Sequence, residues 1–418
     1  MAQLSDDCFA FGGQLMSVDE AVDLIRRTLE PVTGLEHVAV DEADGRVLWE
    51  DVRATLPLPP FDNSAVDGWA VAFADLDPQG ETRLPIGGRI AAGGSSRGVE
   101  ISGRAVRVFT GAPIPAGVDT IFMQEDTRWD DAYVVLPHGL RQGANLRFAG
   151  EDVAAGAVIL PSGRRLRPQD LALAAAVGKV DLPVRGRLRV ALFSTGDELQ
   201  DAGLPLSACA TYDSNRALLR ALLRREGAAV TDLGIIRDNP DALDERLVAA
   251  ALDHDLIVTT GGVSTGEEDH VKAAVEKAGR LVFWRMGIKP GRPVAMGVVK
   301  GTPFVGLPGN PVAAFVTYCY VVRPVVAKLS GFSAELPHTT PVKMGFRYRK
   351  KLGRREFVRV NLVRLADDSV EARQFPKSGA GILTSLTDAD GMVVLPEDQT
   401  DIERGATVPF ISYDALLR

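Results

Sequence analysis

The stretch LRVALFSTGDEL (188–199) decides how the fold is read. Leu188 to Phe193 is a short apolar β run, and STGDEL breaks it with a glycine turn and two acids. Asp213-Ser214-Asn215 then opens a helix to Arg225, which Gly227 ends as the residue after the cap. Val230 to Ile236 reads as the next strand, and Asn239-Pro240 caps another helix with proline at its first position. Leu256 to Thr260 is again a strand, and Gly261-Gly262 leads to a helix ending near Gly279. Leu281 to Trp284, Pro293 to Val299 and Thr302 to Leu307 are further β runs, before Asn310-Pro311 opens a helix to Leu329. Strand and helix alternating in this way predict a doubly wound, mostly parallel sheet with helices on both faces.

On the N-terminal side, Ser17 to Glu30 reads as a helix capped by Ser17, with Glu20 three residues on. From Val52 to about Asn145 short apolar runs lie between Gly and Pro clusters, the pattern of a small β-rich unit. Arg167 to Val177 is a second helix, with Pro168 in its first turn, so the β-rich stretch is an insertion into a domain that resumes after it. After Pro337, alternation returns without helices at Val342–Tyr348, Phe357–Leu365, Val370–Phe375 and Met392–Leu395, as in a small barrel or sandwich. At roughly 150 residues per domain, 418 residues predict about three domains. The insertion makes four: a discontinuous mixed α+β domain (15–55 plus 145–186), a β-rich insertion (56–144), an α/β domain (187–332) and a C-terminal β domain (333–418).

Hydrophobic residues at 46% and charged residues at 24% are ordinary globular usage, which excludes disorder and fibrous repeats. Lys plus Arg (47) against Asp plus Glu (55) gives −8, which argues against a nucleic-acid or membrane-surface binder while leaving room for a local anion site. Gly (42) and Pro (25) run slightly high, as in a chain with many turns or with loops whose backbone approaches a ligand. Cys8, Cys209 and Cys319 form no CxxC pair, so neither a disulfide framework nor a zinc ribbon is expected. The acidic N-terminus MAQLSDDCFAFGGQ lacks the marks of a signal peptide, and the apolar run Val312 to Val322 is too short to span a bilayer. A cytoplasmic protein is expected.

In an open α/β sheet ligands sit at the carboxyl ends of the strands. Five loops fall there: STGDE (194–198), RDNP (237–240), TTGGVSTGEEDH (259–270), RMGIKPGR (285–292) and GLPGNP (306–311). Three are glycine-rich or start a helix, exposing backbone N–H groups to an anion. They also carry Asp197, Glu198, Asp238, Glu267, Glu268, Asp269, Arg285, Lys289 and Arg292. Cations, carboxylates and an anion-binding backbone at one edge suit a phosphorylated ligand held with Mg2+, which takes one or two carboxylates plus phosphate and water. No Walker A, GxGxxG, HExxH or GxSxG occurs, and the five histidines are scattered, so common ATPase, dinucleotide, metal-hydrolase and serine-hydrolase readings are disfavoured.

The segments PPFDNSAVDGWAV (59–71), TGAPIPAGVDTIFMQED (110–126), FAGEDV (148–153), STGDEL (194–199), TTGGVSTGEEDHVK (259–272), IKPGRPVAMG (288–297), GLPGNPVAA (306–314) and PKSGAGILTSLTDADGMVVLPE (376–397) occur in one order. In that order and wording the chain resembles the molybdopterin molybdenumtransferase family, the MoeA proteins and the C-terminal domain of gephyrin, over nearly its whole length. The resemblance implies an elongated chain of four domains, among them the β-rich insertion and a small C-terminal β-barrel. It implies a homodimer with an active cleft shared between subunits. The implied reaction inserts molybdate into adenylylated molybdopterin with Mg2+-dependent release of AMP, the adenylylated substrate coming from a separate protein. Carried over one at a time, the matching catalytic positions are Asp67, Asp152, Glu198, Asp238, Asp269 and Lys289, with Asp238 and Asp269 as metal ligands. The matching binding positions are Thr110, Arg147, Ser264, Pro308 and Pro311, and the loops themselves add Gly261, Gly262, Arg285, Arg292 and Gly309 as binding candidates.

Three positions depart from the family's usual text. Arg285 replaces the Lys of FWK, Arg292 the second Lys of KPGK, and Ala313 the Ser of LPGNPVS. A planar guanidinium is not equivalent to a compact ammonium at an oxyanion site, and Ala313 lacks a hydroxyl ligand. They motivate the alternative of a molybdopterin-binding paralogue that uses tungstate or does no chemistry. A scaffold like the related gephyrin domain is the reading from another class, disfavoured because no long linker or extra folded domain is seen. The basic run Arg347, Arg349, Lys350, Lys351, Arg354, Arg355 and Arg359 reads either as a phosphate or partner contact or as an exposed hairpin with a charged turn. Trp284 and Met286 are expected in the core.

Overall fold

A computed structural model describes residues 15–237, 239–263, 270–333 and 337–416. They form two compact units. One comprises the chain up to Glu36, Gly45–Trp49 and everything from Pro183 on, and the other His37–Asp44 and Glu50–Leu182.

The first unit is organised by a six-stranded sheet. Its strands are β1 (Arg189–Thr195), β2 (Ala229–Ile236), β3 (Leu256–Thr260), β4 (Gly279–Arg285), β5 (Pro293–Val299) and β6 (Thr302–Leu307). They lie in the order β2-β1-β3-β6-β5-β4. The first four are parallel, whereas β6–β5 and β5–β4 are antiparallel. The reversal at β5–β6 has a local cause: only Lys300-Gly301 joins them, both at positive φ, the backbone of a tight hairpin turn. Side chains alternate across the sheet. Val190 and Leu192 face one core with helices Val18–Thr28, Ser214–Arg225 and the segment 311–330, while Ala191 and Phe193 face the other with Pro240–Asp253 and His270–Ala278. The doubly wound reading holds.

Helix starts follow the sequence signals. Ser17 Oγ accepts from the Glu20 amide while Glu20 accepts from the Ser17 amide, a complete capping box. Asn239 Oδ1 accepts from the amides of Asp241 and Ala242. Asn310 differs: it stands at the cap position, yet its side chain makes no cap bond, and Pro311 alone accounts for the helix start. That helix runs Pro311–Thr317, passes through a π turn at Tyr318–Val322, and continues as Arg323–Ser330. Pro324 has no N–H to give the preceding turn, and the wider turn absorbs the loss. Among the described residues Pro311–Ser330 is the one helix long and apolar enough to cross a membrane, but 89% of that window is buried, as a core helix. Met286 is fully buried.

The C-terminal strands close a barrel: Arg355–Arg364, Val370–Gln374, Thr340–Met344, Thr407–Ser412 and Gly391–Leu395, the last pairing back onto the first. Val342, Val360, Val393 and Phe410 fill it. The short strand Ile288–Lys289 adds to it in parallel, placing Lys289 opposite Glu356.

The second unit holds a six-stranded sheet in the order Thr120–Met123, Gly68–Val71, Ala105–Val108, Thr82–Ile90, Tyr133–Leu136 and Arg128–Trp129. Trp69, Phe122 and Val134 pack on one face, with Ala70, Val106 and Ile121 on the other. Helix Pro168–Ala176 starts on Asp170, whose carboxylate accepts from the Arg167 amide at 3.0 Å and from Arg164 at 2.7 Å.

Candidate functional site

The chain leaves β1 toward β2 on one side and returns to β3 on the other, so the strand order reverses between the ends of β1 and β3. A crevice at such a reversal is where open α/β sheets bind ligands. A cavity of about 790 Å³ lies here, lined by Thr195, Glu198, Asp213, Asn215, Thr260, Gly261, Gly309, Asn310 and Pro311 among others. Asn215 Nδ2 donates to Thr260 Oγ1 (2.9 Å) and to the Gly309 carbonyl (2.8 Å), and Thr260 Oγ1 donates to the Pro308 carbonyl (3.0 Å). These bonds tie the GLPGNP loop to the strand ends. Asn215 Oδ1 and Thr195 Oγ1 are buried in this wall with no partner among the described residues. Both atoms are shielded from the cavity itself, which Glu198, Asp213, Gly261 and Gly309 line.

A second cavity of about 560 Å³ lies between the RMGIKPGR loop and the barrel. Lys289, Arg292, Arg359 and Lys377 bring four cations to its wall, with Tyr348, Glu356, Gln374, Ser378, Pro308 and Ala313. Glu356, only 2% exposed, accepts from Lys289 Nζ at 3.0 Å and from the Tyr348 hydroxyl at 2.9 Å. Burial alone would push the Lys289 pKa down, but the Glu356 bond and charge outweigh it and hold the ammonium above its ordinary range. Burial and the Glu356 charge both push the Tyr348 phenol up, so its proton stays on. Arg359 donates to the Gly379 carbonyl (2.8 Å) and to Ser385 Oγ (3.3 Å), which anchors the PKSGAG segment over the cavity. Asn310, its side chain free of capping, lines both cavities, so the two meet at the GLPGNP loop.

In the second unit, Asp67 Oδ1 accepts from the Thr110 amide (2.8 Å) and from Thr110 Oγ1 (2.7 Å). The amide bond, more than the hydroxyl, holds the Asp67 carboxyl below the ordinary carboxylate range. Arg147 is exposed on the strand pairing with Asn63–Ser64, and Asp152 is exposed in a loop whose amide donates to the Leu58 carbonyl.

Of the residues expected at the site, Lys289, Arg292 and Pro308 meet in one cavity, and Glu198, Gly261, Gly309 and Pro311 in the other. Gly262 packs beside Thr195 and Val271. Arg285 lies exposed at the end of β4, outside the lining of both cavities. Asp238, Ser264 and Asp269, with Glu267 and Glu268, lie outside the described residues. The basic run is mostly consumed by structure: Arg347 and Arg349 pair with Asp401, Arg355 with Asp19 and Glu397, and Lys350 donates to the carbonyls of Pro396 and Gln399. Of that run, Arg359 lines the cationic cavity. Sequence reading missed Asn215, Tyr348, Glu356, Gln374, Lys377 and Ser378, although Lys377 and Ser378 stand in the quoted PKSGAG.

A doubly wound sheet with two cavities at its carboxyl edge places the chain in the class of α/β proteins that bind ligands at a switch point. Family profiles agree with that class and narrow it. Residues 16–178 match the MoeA N-terminal region (domain I and II), 191–328 a probable molybdopterin binding domain, and 341–413 the MoeA C-terminal region (domain IV). The chain is 35% identical over 406 residues to a molybdopterin molybdenumtransferase of Haemophilus influenzae, covering 96% of this chain and 100% of the relative. It is 36% identical over 389 residues to molybdopterin molybdenumtransferase 2 of Mycobacterium tuberculosis, covering 91% and 94%. The crystal structure of the molybdopterin biosynthesis MoeA protein from Pyrococcus horikoshii superposes with a TM-score of 0.81 at 28% identity, covering 96% of this chain and all of that one. The chain belongs to the MoeA family, a family of transferase enzymes in molybdenum cofactor biosynthesis.

Proposed function

We propose that the protein inserts molybdate into adenylylated molybdopterin, with Mg2+-dependent release of AMP, to give molybdenum cofactor. The observation that carries this reading is the meeting of two cavities at Asn310. One carries four cations suited to an oxyanion, and the other is lined by Glu198, Asp213, Tyr212 and Asn310, polar groups suited to a larger ligand. In the cationic cavity, Lys289, Arg292 and Arg359 bind and orient the tetrahedral dianion. Fixed cations need no reorganisation as charge moves onto the oxygens. In the switch-point cavity, Tyr212 and Asn310 orient the pterin-bearing substrate, and the Gly261 turn lets its backbone approach.

This reading takes Mg2+ at the same cavity. Among the described residues no group of three His, Cys, Asp or Glu is preassembled, yet this ion needs only one or two carboxylates beside phosphate oxygens and water. Glu198 supplies one at the cavity wall, with Asp238 and Asp269 as the further ligands of the proposal. When bound, the ion neutralises charge on the phosphoanhydride as AMP leaves. Asp67, Asp152, Thr110 and Arg147 belong to the same proposal as substrate-contacting residues, as do Ser264, Gly262 and Arg285. So do the four-domain division, a homodimer sharing its active cleft, a separate adenylylating protein and a cytoplasmic location. Purified protein incubated with adenylylated molybdopterin, Mg2+ and molybdate should release AMP in a molybdate-stimulated way. Absence of that stimulation would sink the reading, whereas tungstate outcompeting molybdate would favour the tungstate paralogue that Ala313 motivates.

A further inference from the structure

Lys289 projects from a two-residue strand at the edge of the barrel, and its side chain is about half exposed at 52%. A lysine so placed is a compact charge on a flexible stem, and nothing in the stem holds the ammonium at one point. The fold supplies the missing constraint from another element. Parallel pairing sets Lys289 directly opposite Glu356. The carboxylate there is almost fully buried and takes the ammonium and the Tyr348 hydroxyl on the same oxygen. A buried carboxylate is costly unless paired and hydrogen-bonded, so its presence in the wall of a cavity read as an anion site needs a reason. From its charge alone it repels an incoming anion.

We infer that Glu356 is a positioning residue for the oxyanion, fixing the Lys289 ammonium together with Tyr348 so that the remaining N–H donors of Lys289 address a tetrahedral dianion. An ammonium has three donors. One is spent on Glu356, Tyr348 stands within hydrogen-bond reach of the ammonium, and what remains is available to the cavity. Arg292, Arg359 and Lys377 line the same cavity and would drive an untethered ammonium outward. Lys350 is also close enough to feel the Glu356 charge, but its Nζ is committed to two backbone carbonyls and does not compete for the carboxylate. The carboxylate thus exchanges some long-range attraction for a fixed donor geometry.

The inference rests on the oxyanion reading of this cavity, and one set of titrations separates the two. Molybdate binding is measured calorimetrically on the full-length protein, its Lys289→Ala, Glu356→Gln, Glu356→Asp and Tyr348→Phe variants, with thermal melting to check folding. Molybdate should bind the wild type and bind Lys289→Ala at least tenfold more weakly. If the wild type binds none, or Lys289→Ala binds unchanged, the oxyanion reading fails and takes this inference with it. If both hold, Glu356→Gln should weaken binding about tenfold although it removes a negative charge, and Glu356→Asp should recover part of the loss. Unchanged or tighter binding in Glu356→Gln overturns the positioning role and leaves the oxyanion reading standing. In AMP release, the KM for molybdate should rise with kcat within about twofold at saturating molybdate, because the group acts on the donor and not on the reacting bond. A loss in kcat alone overturns it. Tyr348→Phe, which removes one hydroxyl, should weaken binding a few-fold, and wild-type binding in that folded variant counts against the inference even if Glu356→Gln does not fold.

Discussion

The backbone of Gly261 approaches Thr195 so closely that a Cβ on Gly261 would stand 2.2 Å from the Thr195 carbonyl oxygen. Gly261 also has φ +89, where a side chain is strained even in open space. The two conditions have one origin. The turn after β3 must fold back onto the end of β1, and the crevice between these strands is the switch-point cavity. Gly261→Ala should therefore destabilise the first unit by at least about 2 kcal/mol, from left-handed strain plus the carbonyl clash. Chemical denaturation measures this, and a variant with wild-type stability would show that the turn is not so tight.

Arg359 carries a different kind of constraint. Its guanidinium binds the Gly379 carbonyl and Ser385 Oγ while lining the cationic cavity, so it fastens the PKSGAG segment as well as supplying charge. Arg359→Lys keeps the charge and loses the planar fork. Molybdate affinity should fall about tenfold or more, as for the loss of one charged hydrogen bond worth roughly 1.5–3 kcal/mol. Titration calorimetry tests this, and affinity equal to the wild type would reduce Arg359 to a source of charge.

The architecture of the α/β sheet was written in local signals: alternating strand text, Asn-Pro and Asp-Ser helix starts, and glycine turns at the strand ends. The cavity lining was legible where the strand-end loops themselves form it, at Glu198, Gly261, Lys289, Arg292, Pro308, Gly309 and Pro311. Glu356 and Tyr348 were not, because their relation to Lys289 depends on a strand pairing across a long sequence separation. The basic run misled for a related reason. Its charges are neutralised by Asp401, Glu397 and Asp19, acids far from it in sequence, and no local pattern records which cation is left for the cavity. Asn310 was read as a cap because Asn-Pro before a helix has that form, yet tertiary structure gives its side chain to the cavities.

Ala313 lines the cationic cavity where the family text usually has serine. Ala313→Ser would add a hydroxyl to that wall at the first turn of the helix from Pro311. The expected gain is one hydroxyl hydrogen bond exchanged against water, a few-fold tighter molybdate binding on the scale of about 1 kcal/mol. Competition between molybdate and tungstate in the same titration shows whether the hydroxyl also discriminates between the two. No change in either affinity would place the anion away from this helix start.

Asp170 in the second unit gives a prediction about acid. Burial would raise the pKa of its carboxyl, but hydrogen bonds from Arg164, from Arg167 and from the Arg167 amide outweigh burial and lower it from the ordinary 3.8. A depressed folded-state value means that the unfolded chain binds the proton more tightly than the folded one. The stabilisation is therefore fully present above the ordinary carboxylate value and is lost as pH falls through the lower folded value. Asp170→Asn removes the charge and replaces one of the two acceptor oxygens that serve the Arg167 amide and Arg164 with a donor, and should cost about 1.5–3 kcal/mol near neutral pH. In strong acid the wild-type carboxyl is itself protonated, so the gap between the two proteins should close. Denaturant melts of both across that range, followed by a probe in the second unit, test the sign as well as the size. A gap that persists undiminished in acid would mean that Asp170 acts through packing and not through its charge.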